Sequence, residues 1–210
     1  MCFDIVIMPR YSAVTDNVNR KGKHMFRTLL GATILSAVAA AATAGTYTVT
    51  VTNNLDTELL APILITDSKN DAEIFTMDYV TPEAEEQILT GDPGKLAARI
   101  GSDAMVGHGT DGPPGVLLAA GKSVTFEITT EASSVRVIAM VAPTLFPDNY
   151  VTNVVDLHGL ESAMADLSRF DIGHDEKTMM SMAVEDTMMS DSGDDTMASH
   201  APATITFVKQ

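Results

Sequence analysis

The sequence predicts an all-β fold, an antiparallel β-sandwich with short helical insertions. Apolar and polar residues alternate at 46–52, a nearly continuous apolar stretch covers 134–142, and turn-forming residues separate such segments. Alternation indicates a strand with one buried face, whereas a continuous apolar stretch indicates a strand buried on both faces. Many short strands and few helices within one domain favour a sandwich of two antiparallel sheets.

Each predicted element follows from a local pattern. The predicted strands cover 46–53, 59–66, 124–130, 134–142, 151–155 and 204–208. Pro62 predicts an edge or a bulge in the second strand because proline cannot donate to the ladder. A helix is predicted to start at Thr81-Pro82-Glu83, which provides an N-cap, a proline at the first position and an acid at the positive end, and to stop near Gly91. A second short helix is predicted from Lys95 to Ile100.

Two further segments are assigned by spacing and composition. Leu160, Ala163, Met164 and Leu167 recur at helical spacing, which predicts a short amphipathic helical segment within 159–167. The glycine- and proline-rich stretch 107–115 predicts a loop.

The N-terminal 44 residues are predicted to lie outside the fold. Residues 25–44 contain a basic start at Arg27, an apolar run, and Ala42-Thr43-Ala44 as a small-x-small cleavage pattern. We therefore expect a cleaved signal peptide, a mature chain that begins at Gly45, and a secreted or periplasmic protein without a transmembrane anchor after processing. The alternative is an uncleaved N-terminal anchor, although the apolar run is shorter than the roughly 20 residues of a spanning helix. Met25 is a candidate for the true start.

The charge balance excludes one large class of partner. The 210-residue chain carries 13 basic and 28 acidic residues, and without residues 1–44 it keeps 8 basic and 26 acidic residues, a net charge of −18. Because phosphate backbones repel such a chain, we expect no nucleic-acid binding. The single cysteine, Cys2, lies in the predicted leader, so the mature domain has no disulfide framework.

Two segments carry a family resemblance. The stretch V-I-A-M-V-A-P-T-L-F-P-D-N-Y-V-T at 137–152 and the stretch F-D-I-G-H-D at 170–175 resemble hallmarks of the spondin N-terminal domain. The opening strand, the G-D-P-G-K-L-A segment at 91–97 and the final T-I-T-F-V follow in the family's order. The resemblance implies a sandwich of about eight antiparallel strands. It also implies extracellular placement, a calcium site in loops at one end, and a surface or matrix partner.

Three aspartates are the calcium candidates. Asp148 follows a predicted buried strand, and Asp171 and Asp175 flank Gly173 in a predicted separate loop. Calcium takes six to eight oxygen ligands, carboxylates and backbone carbonyls among them, at about 2.3–2.6 Å. In the sandwich that the resemblance implies, the two loops meet at one end and the three carboxylates would share an ion. The alternative is that these are solvated turn residues.

A methionine-rich stretch suggests a second metal. Residues 176–200 form a Met/Asp-rich insert, which we expect to be mobile and dispensable for folding because it lacks large β-branched or aromatic residues. Thioethers are soft ligands that favour Cu(I). The copper candidates are Met179, Met180, Met182, His174 and His200. The alternatives are incidental methionines in a disordered insert, or methionines that consume oxidants.

The sequence favours a binding protein over an enzyme. His108, in the loop G-H-G-T-D-G, is a candidate catalytic base beside Asp111 for a hydrolase. No nucleophile motif accompanies this pair. The chain also lacks the G-x-S-x-G, H-E-x-x-H and phosphate-loop motifs. We therefore expect a non-enzymatic, exported binding domain, with copper binding in the periplasm as the alternative function.

Overall fold

The computed structural model describes residues 44–77, 79–142, 148–175, 180–185 and 201–210. All of them belong to the compact unit Ala41–Gln210. The predicted leader, apart from Ala44, and most of the predicted insert lie outside the described residues. The family-like loop around Pro143 lies outside them as well.

The described chain is mostly antiparallel β-sheet with a few short helices, which confirms the predicted fold class. The strands are β1 (Gly45–Asn53), β2 (Leu59–Leu60), β3 (Ile63–Asp67), β4 (Phe75–Thr76), β5 (Tyr79–Val80), β6 (Met105–Gly107), β7 (Ser123–Thr130), β8 (Ser134–Ala142), β9 (Asn149–Asp156), β10 (Ser162–Asp175), β11 (Met180–Glu185) and β12 (Ala203–Lys209). The helices are α1 (Asp71–Ile74), α2 (Pro82–Thr90) and α3 (Gly94–Ile100), with 3-10 turns at Ser68–Asn70 and Gly101–Asp103.

The strands form two sheets that share one long strand. The first sheet has the order β7-β1-β12-β10, and the second has the order β4-β5-β11-β10-β9-β8-β3-β6. Strand β10 joins both because Ser162–Leu167 pairs with β12, whereas Ser168–Asp171 pairs with β9 and Phe170–Asp175 with β11. One half of β10 therefore belongs to the first sheet, and the other half lies inside the second, between β9 and β11.

The main core lies between the two sheets. Alternate residues of β1 and β12, such as Val49, Val51 and Phe207, are fully buried against the second sheet. Their partners there include Ile65 and Val137. The threonines between the buried valines of β1 face outward, as the period of two requires.

A second cluster covers the other face of the second sheet. Ile138 and Tyr150 from the sheet pack against Ile74, Ile88 and Leu96 from the three helices. Strand β8 is consequently buried on both faces, as its continuous apolar sequence predicts. The Thr81 hydroxyl does not cap α2 but donates to the Glu73 carbonyl oxygen of α1 at 2.7 Å, which ties two covering helices together.

Three local predictions are wrong. The segment 159–167 is not helical, because Ser162–Leu167 forms the start of β10 and Met164 is 72% exposed. Residues 170–175 are not a loop but the second half of the same strand. Within the predicted mobile insert, Met180–Glu185 forms β11. In each case pairing with a strand distant in sequence outweighs the local pattern.

Other boundaries agree closely with the sequence. Strand β8 has the predicted bounds, and α2 ends at Gly91, whose positive φ of 76° suits a residue without a side chain. Pro62 interrupts the predicted strand 59–66, which becomes β2 and β3. No helix among the described residues is long and apolar enough to cross a membrane.

Candidate functional site

The first candidate site lies where β9 begins beside β10. Asp171 is paired with Asn149 across the two strands. One position further, the Ile172 amide nitrogen donates to the Asp148 carbonyl oxygen at 2.9 Å. The Asn149 side-chain amide donates to Oδ1 of Asp148 at 2.7 Å. The backbone therefore places Asp148 opposite Ile172, one position along from Asp171, on paired segments and not on two loops.

A partly buried ion pair lies beside these aspartates. Arg169 donates from both terminal nitrogens to the two carboxylate oxygens of Glu58 at 2.9 and 3.1 Å. Its Nε donates to Oδ1 of Asn149 at 2.7 Å. The Arg169 side chain is only 11% exposed, so Glu58 compensates a charge that water reaches poorly. Arg169 therefore links Glu58 to the Asn149 side chain at the start of β9.

Tyr150 lies next to Asn149 in the covered layer of the second sheet. Its ring stacks between Phe75 and Phe170 with centroid distances of 6.3 and 5.7 Å. Its hydroxyl is buried and has no hydrogen-bond partner among the described residues. Burial raises the pKa of the Tyr150 hydroxyl, Arg136 opposes this rise, and the negative charge of Asp171 adds to it. The layer beneath the candidate site is therefore apolar and poorly hydrated.

Asp175 does not join the other two aspartates. It lies on the same extended strand as Asp171, four residues further on, so their Cα atoms are about 13 Å apart. The expected tight turn around Gly173 is absent from this strand, and Asp175 is paired with Met180 instead. Within the described ranges, no group of three or more histidine, cysteine, aspartate or glutamate side chains is arranged to hold a metal ion.

The described part of the methionine tract is strand β11, which lies between β5 and β10 in the second sheet. Met180 and Met182 are two residues apart on this strand, and Met180 is 42% exposed. They are paired with Asp175 and Gly173, whereas His174 is paired with Ser181, so the register pairs neither methionine with His174. Met179 and His200 lie outside the described residues.

A third methionine, in a hairpin of the second sheet, is missed by the sequence patterns. Met77 lies in the turn between β4 and β5, is 84% exposed, and adopts a positive φ of 57°. Strand β5 pairs with β11 through Tyr79 and Met182. The described pairing does not extend to Met77.

The pair His108 and Asp111 has a different explanation. The Asp111 carboxylate accepts hydrogen bonds from Lys122 and from the Ala119 backbone amide, and these contacts lower its pKa, with Lys122 as the main cause. Asp111 also forms a backbone bridge with Leu117. Its contacts therefore hold the loop closed, and they do not orient His108.

A separate cavity of about 260 Å³ opens beside Lys69. The Lys69 ammonium contacts Asp67 at 3.0 Å and Asp103 at 2.9 Å. These contacts raise the pKa of Lys69 and lower that of Asp103, the largest cause in each being the hydrogen bond between the two. Lys69 thus pairs with two of the three acidic residues that line the cavity.

No protein-family model matches the chain, and no curated protein matches it. The resemblance to the spondin N-terminal domain therefore stays a prediction.

Proposed function

We propose that this protein is an exported, non-enzymatic binding domain that attaches to a surface or matrix partner and binds calcium at Asp148 and Asp171. One observation carries the proposal: the hydrogen bond from the Ile172 amide to the Asp148 carbonyl, which joins the two acidic segments. The same pairing places Asn149 directly opposite Asp171. Backbone pairing thus brings the two acidic segments together.

The local charge supports a divalent cation there. Calcium binds carboxylate and carbonyl oxygens, and carboxylates held close together without a cation repel one another. The chain's net charge of −15 also favours binding of cations generally. An ion shared by Asp148 and Asp171 would join the start of β9 to β10 and so stabilise the folded chain by mass action.

The start of the fold supports export. Strand β1 begins at Gly45, the residue that follows the proposed cleavage site. N-terminal sequencing of the protein recovered outside the cytoplasm should begin at Gly45. An intact Met1 or Met25 in that fraction would contradict the proposed processing.

Calcium binding is tested by calorimetry and thermal unfolding of the full chain. Extracellular modules bind calcium with dissociation constants of about 10⁻⁴–10⁻³ M, so we expect binding heat and a rise in the unfolding midpoint at millimolar calcium. A chelator should reverse the rise. Asp148→Asn and Asp171→Asn should each weaken it, because each removes a charged ligand.

The matched control is Asp166→Asn. Asp166 lies on the same strand as Asp171, but in the half that belongs to the first sheet, and its side chain is exposed. It should leave the calcium response unchanged. If the wild-type chain gives no calcium heat and its midpoint ignores the chelator, the aspartates are only structural residues.

A second candidate function is periplasmic copper binding through the methionine tract. The exposure of Met180 favours it, because a thioether in contact with solvent can reach a metal ion. Competition for Cu(I) against a coloured Cu(I) chelator under anaerobic conditions tests this candidate.

A further inference from the structure

We propose that removal of the leader at the Ala44–Gly45 bond leaves an α-ammonium group on Gly45 that pairs with the Glu131 carboxylate at the edge of the first sheet. This inference rests on the proposed processing and extends it, because cleavage then adds an ion pair to the fold. The observation behind it is the cavity of about 260 Å³ beside Lys69, which both Ala44 and Glu131 line.

The strand register determines where the new ammonium lies. Gly45 is paired with Thr130 across β1 and β7. Backbone amides along a strand point alternately to its two neighbours, and the Asn53 amide points to the β7 side, where it donates to the Lys122 carbonyl oxygen at 2.9 Å. The Gly45 nitrogen, an even number of residues earlier, points the same way and faces the Thr130 carbonyl. Because that carbonyl belongs to the peptide bond between Thr130 and Glu131, the nitrogen lies within reach of the Glu131 side chain.

The first residue of the mature chain is held in place from two directions. Tyr47 is buried in the core, and a Cβ at position 45 would lie only 2.9 Å from its Cε2 atom. On the other side of β1, the Gln210 amide donates to the Thr46 carbonyl oxygen at 2.9 Å. These contacts keep the start of β1 in the position that its pairing with β7 requires.

The charges around this position leave one carboxylate available. The cavity is lined by three acids, Asp67, Asp103 and Glu131, and by the cation Lys69. The Lys69 ammonium contacts Asp67 and Asp103, whereas Glu131 forms no ion pair with any residue that the structure describes. Three carboxylates around one ammonium leave an excess of negative charge, which attracts a second ammonium. In the unprocessed chain, the uncharged residue Ala44 lies at this wall of the cavity.

The pairing has a measurable consequence for the N-terminal amino group. A neighbouring carboxylate favours the charged form of an amine, so it raises the pKa of this group above its ordinary value of about 7.7–8.0. The stabilisation is therefore complete below that range and is lost as the pH rises through the raised pKa. Glu131 is exposed, so solvent and salt screen the pair and its effect on overall stability is small.

The test measures the titration of this amino group in the chain recovered outside the cytoplasm. In a chain labelled with ¹³C-glycine, the Cα atom of Gly45 is bonded to the free amine, so its chemical shift follows the charge of that group as the pH is raised. We expect a pKa above about 8.0 in the wild-type chain. Glu131→Gln should lower this pKa toward the ordinary range, and added salt should do the same because it screens an exposed pair.

The matched control is Glu127→Gln. Glu127 lies on the same strand and is also exposed, but it is paired with Thr48 and does not line the cavity. It should leave the pKa of the amino group unchanged, and equal shifts from the two variants would mean that only the net charge acts. If the chain begins at Gly45 but Glu131→Gln titrates like the wild type, the processing stands and the ion pair is wrong. If the exported chain begins elsewhere, the proposed processing fails and this inference fails with it.

Discussion

The outer face of the first sheet and the outer edge of the second sheet differ in whether their polar groups are hydrogen-bonded to one another. On the first sheet, hydroxyl groups of β1 and β7 pair with one another across the strands, for example Thr50 with Thr125 at 3.0 Å and Thr52 with Ser123 at 2.8 Å. At the edge of the second sheet, Met77 and Met180 are exposed, and the nearby Tyr150 hydroxyl is buried without a partner among the described residues.

This difference separates the part of the chain that holds the fold from the part that carries candidate chemistry. Paired hydroxyls and alternating valines stabilise the first sheet. Hydroxyl groups that already bond to one another offer few free groups to a ligand. Exposed methionine side chains bury little area, so they contribute little to stability. We therefore expect substitutions in the first sheet to change stability most, and substitutions at the edge to change ligand binding more than stability.

The largest effect should come from the core of the first sheet. Phe207 is fully buried and contacts Tyr47 edge to face at a centroid distance of 6.4 Å. Phe207→Ala should reduce the free energy of unfolding by about 3–5 kcal/mol, because it removes a large aromatic side chain and leaves a cavity. Denaturant unfolding of both chains measures the difference.

The adjacent residue on the same strand provides the control for Phe207→Ala. Val208 points the other way and is partly exposed, so Val208→Ala should change the free energy by less than about 0.5 kcal/mol. Similar losses for the two variants would contradict the assignment of this face to the core.

The contrast also explains how much of the fold could be predicted from the sequence. Strand β8 has the predicted bounds because its nine residues are nearly all apolar, a local pattern that needs no distant information. The sequence does not predict β10 as one strand because its pattern changes halfway. Leu160, Met164 and Leu167 recur at helical spacing, and Gly173 is typical of a turn. Its two halves pair with different sheets, and only the tertiary structure determines that.

The candidate sites also differ in how far the sequence could predict them. The neighbourhood of Asp148 and Asp171 was expected from the family resemblance, and the structure brings these two residues together while it leaves Asp175 further along the strand. Met77 could not be predicted, because a single methionine in a short turn carries no signal. Nor could the position of Glu131 beside the start of β1, which arises only from the pairing of β1 with β7.

A smaller effect should come from Gly173 at the edge. Gly173→Ala places a Cβ 2.5 Å from Val184 Cγ2, and valine side chains adjust poorly because their rotamers are restricted. We expect a loss of about 1–3 kcal/mol in the free energy of unfolding, as for other overpacked sites. The double variant Gly173→Ala/Val184→Ala should recover most of this loss. A double variant as unstable as the single one would mean that the backbone at position 173, and not contact with Val184, requires glycine.

The smallest effect at neutral pH should come from Tyr150→Phe, since the hydroxyl has no hydrogen-bond partner among the described residues. Removing an unsatisfied buried group while keeping the ring should change the free energy of unfolding by less than about 1 kcal/mol, and toward greater stability.

The pH dependence of stability is the sharper measurement for Tyr150. Because burial raises the pKa of Tyr150 in the folded state, the unfolded chain loses this proton first, near the ordinary value of 10.0. The contribution of Tyr150 is present in full below that pH and is lost progressively above it. Wild-type stability should therefore fall more steeply above about pH 10 than that of Tyr150→Phe. Parallel curves for the two chains would contradict a buried, neutral tyrosine beneath the aspartate pair.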